Sequence, residues 1–384
     1  MALDQDTFNQ VKDAVSRFVR ERLIPAEDIV EETNDVPEDI IQDMRELGLF
    51  GLSIPEEYGG LGLSMLQECE VIHELCKASL SFRSVIGTTV GIGSQGLVMT
   101  GTEEQKKQYL PRLATGEISS SFCLTEPDAG SDAASLRTTA DRDGDYYVLN
   151  GTKRYITNAL RAGMLTVMAR TDRNNKGAGG VSAFLVDPAT EGVHIAKADE
   201  KMGQRGTKTS DVIFENARVP ASALLGGEEG QGFYTAMKVL DRGRLHLSSV
   251  ATGISERILE EALNYAAERK QFGKVIGEFQ LVQAMLADSK AELYAGVSMT
   301  RDAAKKFDSG DDISMLAACC KMFTTEAAGR IADRAVQIHG GAGYMAEYKV
   351  ERFYRDVRLL RLYEGTTQIQ QMVIGRNMLK SVQG

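Results

Sequence analysis

All seven prolines of this 384-residue chain lie at or before Pro220, so the remainder is free of the strongest helix breaker. Long helices are predicted there. "ISERILEEALNYAAERKQFG" spaces Ile254, Ile258, Leu259, Ala262, Leu263 and Ala266 at helical intervals, and "LVQAMLADSKAELYAGVSMTRDAAKKF" repeats the pattern after an "EFQ" joint. Runs over 313–338 and 366–379 complete a predicted four-helix bundle.

Earlier segments follow two other grammars. Before Ser119 the pattern is helical but punctuated: "FNQVKDAVSRFVRERLIP" is predicted to stop at Pro25, "EDIIQDMRELGLFG" at Gly48 to Gly51, and "EEYGGLGLS" to form a loop. Between Ser119 and Asn216, "DYYVLNGTKRYIT", "MLTVMAR", "VSAFLVD" and "SDVIFENARVP" are β-rich runs separated by Gly, Asp and Asn turns. The fold class is therefore α+β and multidomain: an N-terminal helical domain (1–118), a middle antiparallel β-barrel or sandwich (119–226) and a C-terminal four-helix bundle (227–384).

Composition narrows function by exclusion. Hydrophobic residues at 43% and charged residues at 26% are ordinary for a folded globular chain, and no apolar run is long enough to cross a bilayer. A net charge of -10, with no Lys/Arg cluster interleaved with aromatics, argues against nucleic acid. "MALDQDTFNQ" has no basic n-region, so the expected location is the cytoplasm of a bacterium, or the mitochondrial matrix after processing. Five cysteines (Cys69, Cys76, Cys123, Cys319, Cys320) without a C-x-x-C pair read as reduced, buried thiols, and four scattered histidines (His73, His194, His246, His339) make a metal site an unfavoured reading.

Two glycine-rich stretches are ambiguous by themselves. "GIGSQG" (Gly91, Gly93, Gly96) matches G-x-G-x-x-G but lies in a helical region, where glycines serve close packing or leave room for a ligand. "GGAGY" (Gly340, Gly341, Gly343) is either a helix-ending turn or a loop approaching a ligand. "FCLTEPDAGSDAASL", with Thr125, Glu126, Ser131 and Asp132 around Pro127 and Gly130, is either a solvated loop or a cradle of hydroxyls and free N–H groups for a cofactor. In "RLYEGTTQIQ" a lone acid, Glu364, stands between an apolar run and Gly365, with Thr366 or Thr367 able to cap the next helix. It is either a surface acid ending a helix or a placed base, raised in pKa by the apolar neighbours Leu362 and Tyr363.

Five motifs in order, "CLTEPDAGSD", "NGTKRYIT", "RKQFG" with "EFQ", "QIHGGAGY" and "YEGTTQIQ", resemble the acyl-CoA dehydrogenase family over the whole chain. That resemblance implies an FAD-dependent oxidoreductase of short- or medium-chain type in fatty acid metabolism. It implies α,β-dehydrogenation of an acyl-CoA thioester to a trans-2-enoyl-CoA, with electrons passed to an electron-transfer flavoprotein. It further implies Glu364 as catalytic base, and a homotetramer in which flavin contacts are shared between subunits. Such a reaction needs a base for a weakly acidic C–H, a hydride acceptor and donors for an enolate-like oxygen.

Carried over residue by residue, the resemblance assigns Phe122, Leu124, Thr125, Ser131, Tyr155, Ile156 and Thr157 to the flavin. From the neighbouring subunit it assigns Arg269, Gln271, Phe272, Gln280, Gln337, Gly340 and Gly341, with Thr366 and Gln368 completing the set. Substrate contacts are Ser131, Asp241, Arg244, Gly365 and Arg83. Asp241 and Arg244, three apart on a predicted helix, also fit a plain ion pair. Some branched-chain members carry the base at the position of Gly243, which cannot serve. Arg83 in "SFRS" resembles the arginine with which glutaryl-CoA dehydrogenases hold a distal carboxylate, but their accompanying acid is Cys76 here, and a structural role for Arg83 is the competing account. The alternatives to dehydrogenation are an oxidase or a decarboxylating or desulfinating flavoenzyme on the same fold, and, in another class, a non-catalytic CoA-binding protein.

Overall fold

The computed structural model describes residues 3–382. Seven α-helices come first: α1 (Gln5–Phe18), α2 (Glu27–Thr33), α3 (Glu38–Glu46), α4 (Met65–Leu75), α5 (Leu80–Gly87), α6 (Gln95–Thr100) and α7 (Glu103–Ala114). Reciprocal capping boxes start α4 (Ser64 with Gln67) and α7 (Thr102 with Gln105), satisfying amides that a helix end leaves orphaned. Pro25 does not stop the chain as its type predicts. A π-helical turn, Val19–Leu23, absorbs the break, and Pro25 enters the first turn of the following 3₁₀ segment, where no N–H is needed.

Seven strands make one sheet: β1 (Ser119–Cys123), β2 (Thr139–Asp143), β3 (Tyr146–Thr157), β4 (Ala162–Arg170), β5 (Val181–Val186), β6 (Val193–Ile195) and β7 (Thr209–Pro220), in the order β1-β4-β2-β3-β7-β6 with β5 on β4. Pairing is antiparallel except for β1 with β4 and one residue pair of β2 with β4. The parallel exception has a physical origin. β1 leaves the helical region and reaches its neighbour only after a long crossover, which parallel pairing requires.

The C-terminal bundle has the four predicted long helices, α8 (Gly232–Glu268), α9 (Gln280–Asp308), α10 (Ser314–His339) and α12 (Thr367–Lys380), plus a short α11 (Lys349–Val357) between the last two. A small hairpin, β8 (Lys270–Gln271) and β9 (Lys274–Val275), joins α8 to α9. No helix among the described residues is long and apolar enough to cross a membrane.

The first and last helical regions share one core: Phe8, Val15, Leu23, Ile72 and Ile86 pack with Val250, Ile254, Ile331 and Phe353. One side of the sheet builds a second core around Leu149, Val167, Phe184 and Phe214, and a third joins the sheet to α7 and the start of α8 through Leu113, Met164, Leu185 and Ala236. Packed on α4, α9, α10 and β5, α8 is the spine that fixes helices and sheet against a common cleft.

Candidate active site

The cleft encloses about 250 Å³, between α5, the ends of β1 and β3, the 201–209 loop, α8 and the turn before α12. Of the residues expected at a flavin, Phe122, Leu124, Thr125, Ser131, Tyr155, Ile156 and Thr157 line it, as do Arg83, Arg244, Glu364 and Gly365 from the expected substrate and catalytic sets. Asp241 is outside the lining but ion-pairs with Arg244, which is buried, so the pair is not a plain surface one. The structure does not bring Arg269, Gln271, Phe272, Gln280, Gln337, Gly340 or Gly341 to this cleft. They are exposed on the β8–β9 hairpin and the neighbouring ends of α9 and α10. Thr366 and Gln368 also lie outside the lining, Thr366 as the α12 N-cap accepting from the Ile369 amide at 3.3 Å, and Gln368 exposed on that helix.

Glu364 stands in the left-handed region (φ 53), directly before Gly365 at φ 86. Tyr155 (φ 59) and Gln204 (φ 50) line the same cleft. A non-glycine residue pays about 1–3 kcal/mol for such a conformation, and three gathered at one cavity mark a place where geometry overrides local preference.

The turn is fastened from two sides. Lys321 Nζ of α10 donates to the Gly365 carbonyl at 2.7 Å, and Gln370 Nε2 donates to the carbonyls of Glu364 and Gly365 at 3.1 and 3.0 Å. Thr367 Oγ1 donates to Glu326 on α10 at 2.6 Å. Among the described residues the Glu364 amide donates to no backbone acceptor outside helices and strands.

The carboxylate rests on a glycine: a Cβ added to Gly243 would lie 2.7 Å from Glu364 Oε2. That oxygen is buried and makes no hydrogen bond. Burial holds the carboxyl above its ordinary range, against the opposing pull of Arg83, Lys321 and Arg244. A lone, unbonded carboxylate with a raised pKa facing an apolar cleft is the arrangement a proton acceptor from carbon needs. Gly243→Ala puts a methyl group into that space, so the expected result is a loss of turnover of at least about tenfold with flavin retained, since a 1 Å misplacement can cost about a hundredfold. Steady-state kinetics beside flavin absorbance checks it.

Lys321 was not among the expected site residues. Burial lowers its pKa to about 8, against the raising effect of Glu364. Its sequence signal is a lysine inside the small-residue face of "LAACCKMFTTEAA", which only tertiary neighbours convert into a role. Lys321→Met removes a cation that favours ionised Glu364. The base then titrates higher, and the acid limb of the kcat against pH profile moves to higher pH; an unmoved limb means that the charge of Lys321 is not felt by the base.

Behind the cleft, Lys153 on β3 is fully buried and donates to Glu126 at 2.7 Å and to the Leu124 carbonyl at 3.3 Å. Glu126 also accepts from the amides of Arg137 and Thr138 at 2.6 and 2.9 Å. The "TEPDAGSD" loop is thus tied to the strand that carries Tyr155, Ile156 and Thr157. "GIGSQG" spans the end of a π-helical turn and the start of α6, with no strand–turn–helix unit around it; a Cβ on Gly93 would strike Ser120 of β1 at 2.2 Å, so this glycine serves close packing. Cys69, Cys76, Cys123 and Cys320 are buried free thiols, and Cys319 is a partly exposed one.

The helical region, the sheet and the bundle close on one acid whose Oε2 is buried, and likeness to known proteins gives the class, an oxidoreductase acting on acyl-CoA. Family models for the acyl-CoA dehydrogenase N-terminal, middle and C-terminal domains match residues 5–117, 121–217 and 230–379. A 3-(aryl)acrylate reductase of Clostridium sporogenes is 41% identical over 363 residues, which cover 94% of this chain and 96% of that protein. The caffeyl-CoA reductase-Etf complex subunit CarC of Acetobacterium woodii is 42% identical over 353 residues, 92% of this chain and 93% of its own. The three-dimensional structure of butyryl-CoA dehydrogenase from Megasphaera elsdenii superposes with a TM-score of 0.93 at 35% identity, covering 99% of this chain and 100% of that one. The chain belongs to the acyl-CoA dehydrogenase family.

Proposed function

We propose that this protein dehydrogenates an acyl-CoA thioester between Cα and Cβ, with Glu364 taking the α proton and the product being a trans-2-enoyl-CoA. The observation that carries the reading is the carboxylate of Glu364, unbonded at Oε2 and seated over Gly243, in a cleft whose surface is mainly apolar but which also holds Arg83, Lys201 and Arg244. The Glu364 amide would donate to the thioester carbonyl, and Gly365 lets the chain turn away behind it. Arg244, braced by Asp241, sets a positive potential beside the base. Burial of the carboxyl raises its proton affinity against the pull of Arg83, Lys321 and Arg244, which suits a group that must take a proton from carbon.

FAD, when bound, supplies the acceptor for the hydride leaving Cβ. The residues present fit it. Thr125 and Thr157 offer hydroxyls and Leu124 and Ile156 apolar edges to the same cavity, while Arg154 covers the Tyr155 ring at 4.8 Å. Ser131, on the loop at the mouth, is placed for the polar edge of flavin or substrate.

Arg269, Gln271, Phe272, Gln280, Gln337, Gly340 and Gly341 would serve the flavin of a second subunit in a homotetramer. Phe272, 92% exposed on a two-residue hairpin, supports that reading, because a bare aromatic there otherwise wastes its apolar surface. The electron partner is an electron-transfer flavoprotein, in line with the complex named for one relative. Domain boundaries after 118 and 226 keep α7 whole on one side and α8 on the other.

Arg83 lines the cleft 5% exposed, which favours a short acyl chain with a polar or carboxylate end. Two relatives bear reductase names, and this favours a second reading in the opposite direction, with protonated Glu364 returning a proton to Cα of a 2-enoyl-CoA. Both directions need the same base. Anaerobic addition of acyl-CoA should bleach the yellow absorbance of the purified protein and yield enoyl-CoA by mass, and enoyl-CoA should restore the colour; protein purified without flavin would defeat both readings.

A further inference from the structure

A chain of buried charged and polar groups runs from the interior to the acyl end of the cleft. Arg242 of α8 ion-pairs with Glu68 of α4, whose Oε1 lies 2.7 Å from His246 Nδ1. Across the ring, His246 Nε2 accepts from Arg83 Nε at 2.9 Å. Glu68 and His246 are 0% exposed, and Arg83 and Arg242 5% each. The direction of these bonds fixes the protons. Arg83 Nε–H can only donate, so Nε2 must be bare and the imidazole proton must sit on Nδ1, donated to Glu68. Burial first, then the charge of Arg83, pushes His246 down to about 4, consistent with a neutral ring.

Arg83 is left with an unusual balance. Among the described residues its hydrogen bond to the protein is through Nε alone, and no carboxylate lies within salt-bridge distance of it. Its charge acts on the Glu364 carboxylate, which lines the same cleft, but among the described residues its two Nη groups have no protein acceptor and are not sealed away, so they stand open to that cleft. The fold also makes room for the guanidinium: a Cβ on Gly87 would lie 2.9 Å from the Arg83 Cζ, and a Cβ on Gly91, one helical turn further on, would reach the ring of His246 only at ordinary contact, 3.8 Å. Cys76, where an acid accompanies the arginine in the glutaryl-type resemblance, is a protonated thiol raised to about 12 by burial and provides no anion.

We propose that Glu68 and His246 are positioning residues for substrate selection: they hold Arg83 through Nε and reserve both of its Nη groups for an acceptor, a carboxylate or carbonyl, at the distal end of a short acyl chain. This rests on the reading of the cleft as an acyl-CoA site and adds the apparatus that orients its specificity residue. His246 takes the place of the acid that Cys76 lacks. Because it is neutral, it orients the guanidinium without neutralising it.

The test uses the flavin-loaded enzyme with two probes of similar length, glutaryl-CoA and butyryl-CoA, in wild type, Arg83→Ala, His246→Leu and His246→Gln. Leucine removes the acceptor, whereas glutamine restores one through Oε1. Arg83→Ala is expected to lower the glutaryl-to-butyryl ratio of kcat/KM by about tenfold or more. His246→Leu should lower it in the same direction through KM for glutaryl-CoA, and His246→Gln should return it to within about threefold of wild type. If Arg83→Ala changes the ratio and His246→Leu does not, the positioning role is wrong while the substrate reading stands. If Arg83→Ala leaves the ratio unchanged, both fall, although dehydrogenation by Glu364 does not. His246→Phe is the second route should His246→Leu not fold: it keeps a ring of similar volume without an acceptor for Arg83 Nε, and an unchanged ratio there also overturns the proposal.

Discussion

Glu364→Gln is expected to retain bound flavin and acyl-CoA affinity while losing dehydrogenation by about three orders of magnitude or more. A general base contributes about 10²–10⁴-fold, and among the described residues lining the cleft Glu364 is the one carboxylate. The site explains both halves. Glutamine is close in shape, so it fits the space over Gly243 and leaves the carbonyl contacts of Lys321 and Gln370 in place. What disappears is proton affinity. Gly243 cannot substitute, and the lysine and arginines around the base are cations unsuited to accepting a proton from carbon. The measurement is the rate of anaerobic flavin bleaching by saturating acyl-CoA, with affinity read separately from the shift in the flavin spectrum. Turnover near wild type would remove Glu364 from the mechanism. Because its carboxyl titrates above the ordinary range, wild-type kcat should rise with pH through that raised value, and this acid limb should be absent from any residual activity of the variant.

What was legible in the sequence follows from how local each feature is. The four long helices are visible because proline stops at Pro220 and apolar residues recur over many turns. Glu364 and its turn are visible because an acid, a glycine and two threonines sit side by side. The seat of the base is not: Gly243 meets it only through the packing of α8 under the turn. His246 looks like one of four scattered histidines until α4, α5 and α8 converge and place it between Glu68 and Arg83, 163 residues away from the latter. β1 and β2, five residues each, are too short to carry a period, and the parallel register of β1 on β4 is set by a crossover that leaves no local mark. Pro25 misleads for the opposite reason. Its local rule is sound, but a π-helical turn moves it to a position where the rule no longer applies.

Lys153→Met should cost about 3–5 kcal/mol of stability near neutral pH, because it removes the cationic partner of the buried carboxylate of Glu126. In the wild type, burial would raise Glu126, but Lys153 and the amides of Arg137 and Thr138 overcome it and hold the carboxyl below its ordinary value. A group depressed in this way adds stability that is present above the unfolded pKa and lost as pH falls through the folded one. Without Lys153 the balance reverses: burial dominates, the folded pKa rises above the unfolded one, and the variant should regain part of its lost stability as the medium is acidified to the point where Glu126 takes a proton. Removing the acid as well should rescue it at neutral pH. Glu126→Gln combined with Lys153→Met leaves an amide whose one oxygen can accept from either Arg137 or Thr138, which now donate to different carboxylate oxygens, and no buried charge, so the pair should be less destabilised than the lysine change alone. Thermal unfolding and the temperature of flavin release are the two readouts, because the same lysine holds the Leu124 carbonyl at the end of β1. Release well below unfolding in Lys153→Met would show the cofactor loop loosening first. Equal destabilisation of the single and double variants would mean that the stranded charge is not the cause.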